Sequence, residues 1–109
     1  MIFPCSGGSD VGELSDKAAR LLGKSCGKSM YCLAGIGGKV APIINNTKLA
    51  DNIIVIDGCP VECAKKTLES AGINEFQYFR LDELGFAKGH TTIDDCNIEK
   101  VVDLINTPK

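Results

Sequence analysis

The segment IVIDGCPVECAKK, Ile54–Lys66, decides how the chain folds. Ile53–Ile56 are four consecutive apolar residues, three of them isoleucine. A run apolar on both of its alternating faces predicts a strand covered on both sides, the habit of parallel sheets. PVECAKKTLESAG, from Pro60 to Gly72, predicts a helix with proline in its first turn and glycine at its end. Strand followed directly by helix is the first half of a βαβ unit, and the rest of the chain has the same rhythm.

Upstream, Met1–Cys5 reads as a short strand, weakened by Pro4, which cannot donate to a ladder. SGGSD is a glycine loop, and Asp10 with Glu13 has the spacing of a capping box. Val11, Leu14, Ala18, Leu21 and Leu22 share one helix face, with Gly23 expected to end the helix. SMYCLAG predicts a second strand ending near Cys32 or Leu33, GIGG a loop, and 39–46 a helix with Pro42 in its first turn. Downstream, FQYFRL predicts a fourth strand. Thr92 or Asp94 is placed to cap a last helix carrying Ile98, Val101, Val102 and Ile105. The expected fold is α/β over a single domain, 1–109: a small three-layer sandwich, Rossmann-like, of about four mostly parallel strands with helices on both faces.

Composition narrows the function. The 109 residues carry a formal charge of −2, with no basic run and no aromatic stacking set, which argues against a nucleic-acid partner. No apolar run approaches the roughly 20 residues of a spanning helix, and no signal peptide is visible, so no membrane is expected and the location reads as cytoplasmic. Nothing in the sequence specifies a protein partner. Six cysteines are the one departure from average. In a reducing compartment such a cluster binds metal or does thiol chemistry more often than it forms disulfides.

The strand assignments give the cysteines a place. Cys5 ends the first predicted strand, Cys32 the second, Cys59 follows the third, and Cys63 opens the next helix. In open parallel sheets ligands gather beyond the carboxyl ends of the strands. Cys63 lies roughly 120° from the centre of the stripe Val61, Ala64, Leu68 and Ala71, so its own helix does not bury it. It lies on the side from which Cys59 enters, where the two sulfurs could meet. Thiolates are favoured at helix N-termini, and Zn²⁺ in structural sites commonly takes four of them. Cys5, Cys32, Cys59 and Cys63 would supply that set. The usual short C-x₂-C pairs are missing, so an iron–sulfur cluster on the same thiols, or a thiol enzyme with Cys59 as nucleophile and Cys63 as resolving partner, stays open.

CSGGSDVGELSDKAARLLGK, YCLAGIGG and IVIDGCPVECAKKTLESAG resemble the DGC-domain family, named for the motif that stands here as Asp57-Gly58-Cys59. The resemblance runs from the first residues to about Leu81. It implies a metal, since the four characteristic cysteines of that family are proposed zinc ligands and match Cys5, Cys32, Cys59 and Cys63. It implies no settled biochemical role.

Other motifs fail on inspection. GKSCGKS ends like a phosphate loop but has Leu22 where the first glycine belongs. CSGGSDVG follows a strand as in small cysteine phosphatases, yet the arginine position holds Val11. His90, the only histidine, reads as a surface or capping residue; Cys26 and Cys96 read as non-functional. Asp57 reads equally as a strand-end turn residue and as an acceptor for nearby backbone N–H groups.

Overall fold

The structure, a computed structural model, describes residues 1–25 and 27–107. In chain order it has β1 (Ile2–Pro4), α1 (Asp10–Ser25), α2 (Leu33–Gly37), α3 (Ala41–Lys48), β2 (Ile54–Asp57), α4 (Cys63–Ser70) and β3 (Gln77–Arg80). A 3-10 turn, Leu81–Leu84, and α5 (Asp95–Asn106) complete it. The strands form one parallel sheet in the order β1-β2-β3. Ile2 pairs with Ile54 and Pro4 with Ile56; Ile54 pairs in turn with Gln77 and Asp57 with Arg80.

Side-chain alternation along these strands feeds two cores. Ile2, Ile54, Ile56 and Phe79 point to one face, where Val11, Leu14, Ala18 and Leu22 of α1 meet Val101 and Ile105 of α5. Phe3 and Val55 point to the other, against Ile36 of α2 and Ala64 and Leu68 of α4. Burial of β2 on both faces is why its sequence is apolar throughout. Each fully buried side chain of this size contributes about 1.5–3 kcal/mol, so the domain is held from both sides of a very small sheet.

The predicted second strand is a correction. Among the described residues there are three strands, not four: Met30 makes a single parallel bridge to Ile2. Ile2 bonds Ser29 O through its N–H and accepts from Tyr31 N, both at 2.9 Å, and then the chain leaves the sheet. It leaves because Cys32 caps α2, and the expected GIGG loop is the end of that helix. Glycine is tolerated there for packing: a Cβ on Gly35 would overlap the Ile43 side chain of α3.

Three helix ends also differ from expectation. Ser9, not Asp10, caps α1, its hydroxyl accepting from Gly12 N at 3.1 Å, while Glu13 pairs with Lys17 at 2.9 Å. Gly23 does not stop α1, which runs to Ser25; its missing Cβ admits the Lys28 carbonyl, which a methyl would meet at 2.9 Å. Helix α4 starts at Cys63, not at Pro60, and Val61 is 53% exposed and outside the core. Asp94 caps α5 as expected, accepting from Asn97 N at 2.8 Å. No helix among the described residues is long and apolar enough to cross a membrane.

Candidate metal centre

The carboxyl edge of the sheet gathers the cysteines picked out by the sequence, but not into one set. Cys5 leaves β1 on the face that Phe3 occupies, two residues earlier and therefore on the same side. Cys32 is the N-cap of α2 and Cys63 the first residue of α4, the two short helices on that face. All three line one open pocket of about 600 Å³, together with Arg20, Tyr31 and Thr67. Cys32 and Cys63 are exposed and Cys5 is half-buried.

Two of these sulfurs have hydrogen-bond partners. Gly35 N–H donates to Cys32 Sγ at 3.3 Å. Cys5 Sγ lies 3.4 Å from the buried Ser15 Oγ. Ser15 donates its single proton to Gly12 O at 2.7 Å, so it is the Cys5 thiol that donates across this contact. Backbone strain marks the same places. Ser6, just after Cys5, and Glu62, just before Cys63, hold left-handed φ values of 53° and 61°. Such conformations cost about 1–3 kcal/mol each in residues other than glycine and collect where a site demands them. Asp16 sustains the first by accepting from Ser6 Oγ at 2.8 Å, and it pairs with Arg20 at 2.7 Å. Glu62 is held by Arg80 at 3.5 Å and by Lys65 at 3.9 Å.

Cys59 stands apart. It does not line the pocket; it packs half-buried against the core on the α1 and α5 side. Its sulfur faces Lys88 Nζ at 4.0 Å. Cys59 thus does not line that pocket with Cys63. Among the described residues, no group of three or more His, Cys, Asp or Glu side chains is already drawn together to hold a metal ion. The donor types nonetheless suit a thiophilic ion: three thiols from three separate segments surround one cavity, and Zn²⁺ takes sulfur readily.

The residues beside Cys59 explain the motif. Asp57 is 1% exposed and aims back across the strand end at α4. Its carboxylate accepts from Ala64 N at 2.9 Å, Lys65 N at 3.0 Å and Tyr78 Oη at 2.9 Å. It therefore satisfies free donors in the first turn of the helix that carries Cys63. Burial, then the bond to Asp57, pushes the Tyr78 hydroxyl well up, so it stays protonated and donating. Gly58 lets the strand end touch α1: a Cβ there would sit 2.8 Å from Val11.

A second carboxylate, Asp10, clamps the segment that brings Lys88 to Cys59. It accepts from Gly89 N at 3.0 Å, Thr91 N at 3.1 Å and Val11 N at 2.8 Å. The Gly89 N–H first, then that of Thr91, hold its carboxyl below the ordinary 3.8. A depressed value means the clamp is intact above that ordinary value and is lost as pH falls through the lower, folded one. Acidification below 3.8 is expected to lower the protection of the Gly89 and Thr91 amides, relative to their intrinsic exchange rate at that pH, before the strands respond. Asp10→Ala should show that loss of protection at neutral pH, measurable by hydrogen exchange.

Several site residues escaped the sequence. Arg20 and Thr67 look like ordinary helix-surface polar residues, and only the packing of α1 and α4 turns them toward the pocket, while the buried Ser15 reaches the site only through Cys5. The sole legible signal was the i, i+4 pair Asp16 and Arg20. His90 is exposed on a turn, lines a separate cleft with Lys100, and does not line the thiol pocket. Lys39 reaches away to Ser70 O at 3.0 Å. Cys96 is exposed on α5; Cys26 lies outside the described residues.

A curated relative from Pseudomonas aeruginosa, the anaerobic and virulence modulator AnvM, is 29% identical over 99 residues, 91% of this chain and 74% of its own length. No solved structure matches. The DGC domain model matches residues 1–105, so the chain belongs to the DGC-domain family.

Proposed function

We propose that this DGC domain is a metal-binding module that holds Zn²⁺ on cysteine thiolates at the carboxyl edge of its sheet, in metal handling or thiol-based sensing. The single observation that carries this reading is the convergence of Cys5, Cys32 and Cys63 on one pocket from β1, α2 and α4. Zn²⁺ when bound would neutralise the thiolates and tie these segments together; a closed four-thiolate set would be structural. The chain's own contribution is orientation. Cys32 is fixed by its cap and Cys63 by the Asp57 carboxylate behind α4. Two fully formed cores make a metal unnecessary as a staple, which favours an exchangeable, functional ion. The name of the Pseudomonas relative, an anaerobic and virulence modulator, supports a sensing role.

One contact favours a second reading, thiol chemistry at Cys59. Lys88 Nζ at 4.0 Å sets a cation against its sulfur, an arrangement that nucleophilic cysteines use.

Elemental analysis of protein purified without oxygen or chelator is expected to find about one zinc per chain, in a colourless solution. Brown protein containing iron and sulfide would instead establish a cluster on the same thiols. Protein free of metal would sink the binding module and leave the thiol reading. Zinc at about 100 times its Kd should add about 2.7 kcal/mol to folding. For a domain of this size that raises Tm by roughly 10–20 °C, a shift readable by calorimetry.

A further inference from the structure

We infer that Cys32 and Cys63 are a reversible dithiol, which a low-molecular-weight disulfide oxidises to a bridge tying the start of α2 to the start of α4. The inference rests on the thiol-sensing part of the reading above and needs no bound metal.

The register between α2 and α4 places the pair. The two helices run side by side in the same direction, and their contacts step along both together. Just past the end of α2, Lys39 Nζ reaches Ser70 O at 3.0 Å and Ser70 Oγ at 3.1 Å. Gly37 faces Thr67: a Cβ on the glycine would lie 3.6 Å from Thr67 Cγ2. Ile36 shares a core with Ala64 and Leu68. A helical turn is about 3.6 residues, so one turn back from Gly37 and Thr67 stand Leu33 and Cys63. Cys32 adjoins Leu33 as the N-cap of α2, and it lines the same pocket as Cys63. A disulfide needs Cα atoms about 4.4–6.8 Å apart. Gly37, which lacks a Cβ, permits the close helix approach that such a bridge requires.

The other thiols are less well placed. Cys5 is half-buried, with its sulfur 3.4 Å from Ser15 Oγ on α1. Cys59 packs against the opposite core and faces Lys88. Cys32 and Cys63 are both exposed, as attack on a reagent from solvent demands. The cap itself points to a use for the Cys32 sulfur. Helix starts favour Ser, Thr, Asp or Asn, whereas here a thiol accepts from Gly35 N at 3.3 Å. Stability alone does not select cysteine at that position.

The exchange balances without a further oxidant. One of the two thiolates attacks the reagent RSSR; the S–S bond breaks, a mixed disulfide forms and RS⁻ leaves. The second thiolate attacks the protein sulfur of that mixed disulfide and expels the other RS⁻. The protein gives up two electrons and two protons, and RSSR becomes two RSH. An exposed bridge is of the labile kind, so excess thiol reverses the step.

Mass spectrometry of the full chain tests the pair. Reduced protein is incubated with glutathione disulfide under nitrogen in the presence of a chelator. The expected product is two hydrogens lighter than the reduced chain, with one cross-link joining Cys32 to Cys63. Cleavage after Glu62 separates Cys59 from Cys63, so the assignment is unambiguous. Cys5→Ser and Cys59→Ser should form the same bridge to the wild-type extent. Cys32→Ser and Cys63→Ser should lose it and keep a glutathione adduct on the remaining partner. A bridge between any other two cysteines, or stable adducts on both Cys32 and Cys63 of the wild type, would overturn the pair. A chain in which no cysteine is oxidised would overturn thiol sensing altogether. Zinc content of the same preparation, measured before chelator is added, decides the metal reading separately.

Discussion

Asp57→Ala is expected to lose about 4 kcal/mol of folding stability, and with it the fixed geometry at Cys63. The substitution removes the common acceptor of three donors, Ala64 N, Lys65 N and Tyr78 Oη, at a site that is 1% exposed. Each buried donor left without a partner costs about 1–3 kcal/mol, and a charged acceptor is worth more than a neutral one. The sum is reduced where water can enter the space left by the side chain. Asp57→Asn keeps one acceptor but turns an NH₂ toward Lys65 N and Tyr78 Oη, so it should cost about half as much. Tyr78→Phe removes only one donor and should cost about 1 kcal/mol. Urea denaturation of the three variants checks the order. The total stability of a domain this size is about 5–15 kcal/mol, so Asp57→Ala is expected to leave it barely folded. Equal losses for Asp57→Asn and Asp57→Ala would show that volume, not acceptor capacity, is what the site needs.

Gly58→Ala is expected to be nearly as damaging, for a different reason. Its φ is not in the left-handed region, so backbone freedom is not at stake. The problem is space. A Cβ at Gly58 would lie 2.8 Å from the Val11 carbonyl carbon and Cγ2 and 2.9 Å from its carbonyl oxygen. Backbone cannot step aside as a flexible side chain would, so α1 must move away from β2. Forced overpacking of this kind costs about 1–3 kcal/mol, and the upper end applies where backbone is the obstacle. A Tm fall of roughly 10–20 °C is the corresponding calorimetric result. Val11→Ala removes only the Cγ2 half of the clash, so the double variant should recover part of the loss. Failure of any recovery would place the obstacle wholly in the α1 backbone. Gly12 faces the same constraint from the other direction, since a Cβ there would fall 2.5–2.8 Å from the Gly7 peptide in the loop after Cys5.

These two residues show what was and was not legible in the chain. The β2 strand could be read with ease because four apolar residues in a row have no other economical burial. Helices α1 and α5 announced themselves by period, and Asp94 by its capping spacing. The second strand misled because Met30 and Tyr31 have strand propensity, whereas the edge of so small a sheet needs only the bonds Ile2 can offer. Helix α2 was hidden by its glycines, which count against a helix locally, although Gly35 is required by the packing of Ile43. Asp10 looked like a capping residue, and its actual partners, Gly89 and Thr91, lie about 80 positions away, beyond the reach of any local pattern.

The sequence by itself determined the parallel α/β architecture, the two-sided burial of β2 and the arrival of Cys5, Cys59 and Cys63 at the carboxyl edge. Each of these depends on local period and on strand direction, which neighbouring residues encode. Only the tertiary structure decided which cysteines share a pocket. That choice depends on the face each chain segment takes on leaving its strand. The faces were set by contacts distant in sequence: Gly58 against Val11, Asp57 beneath α4, and Lys88 over Cys59.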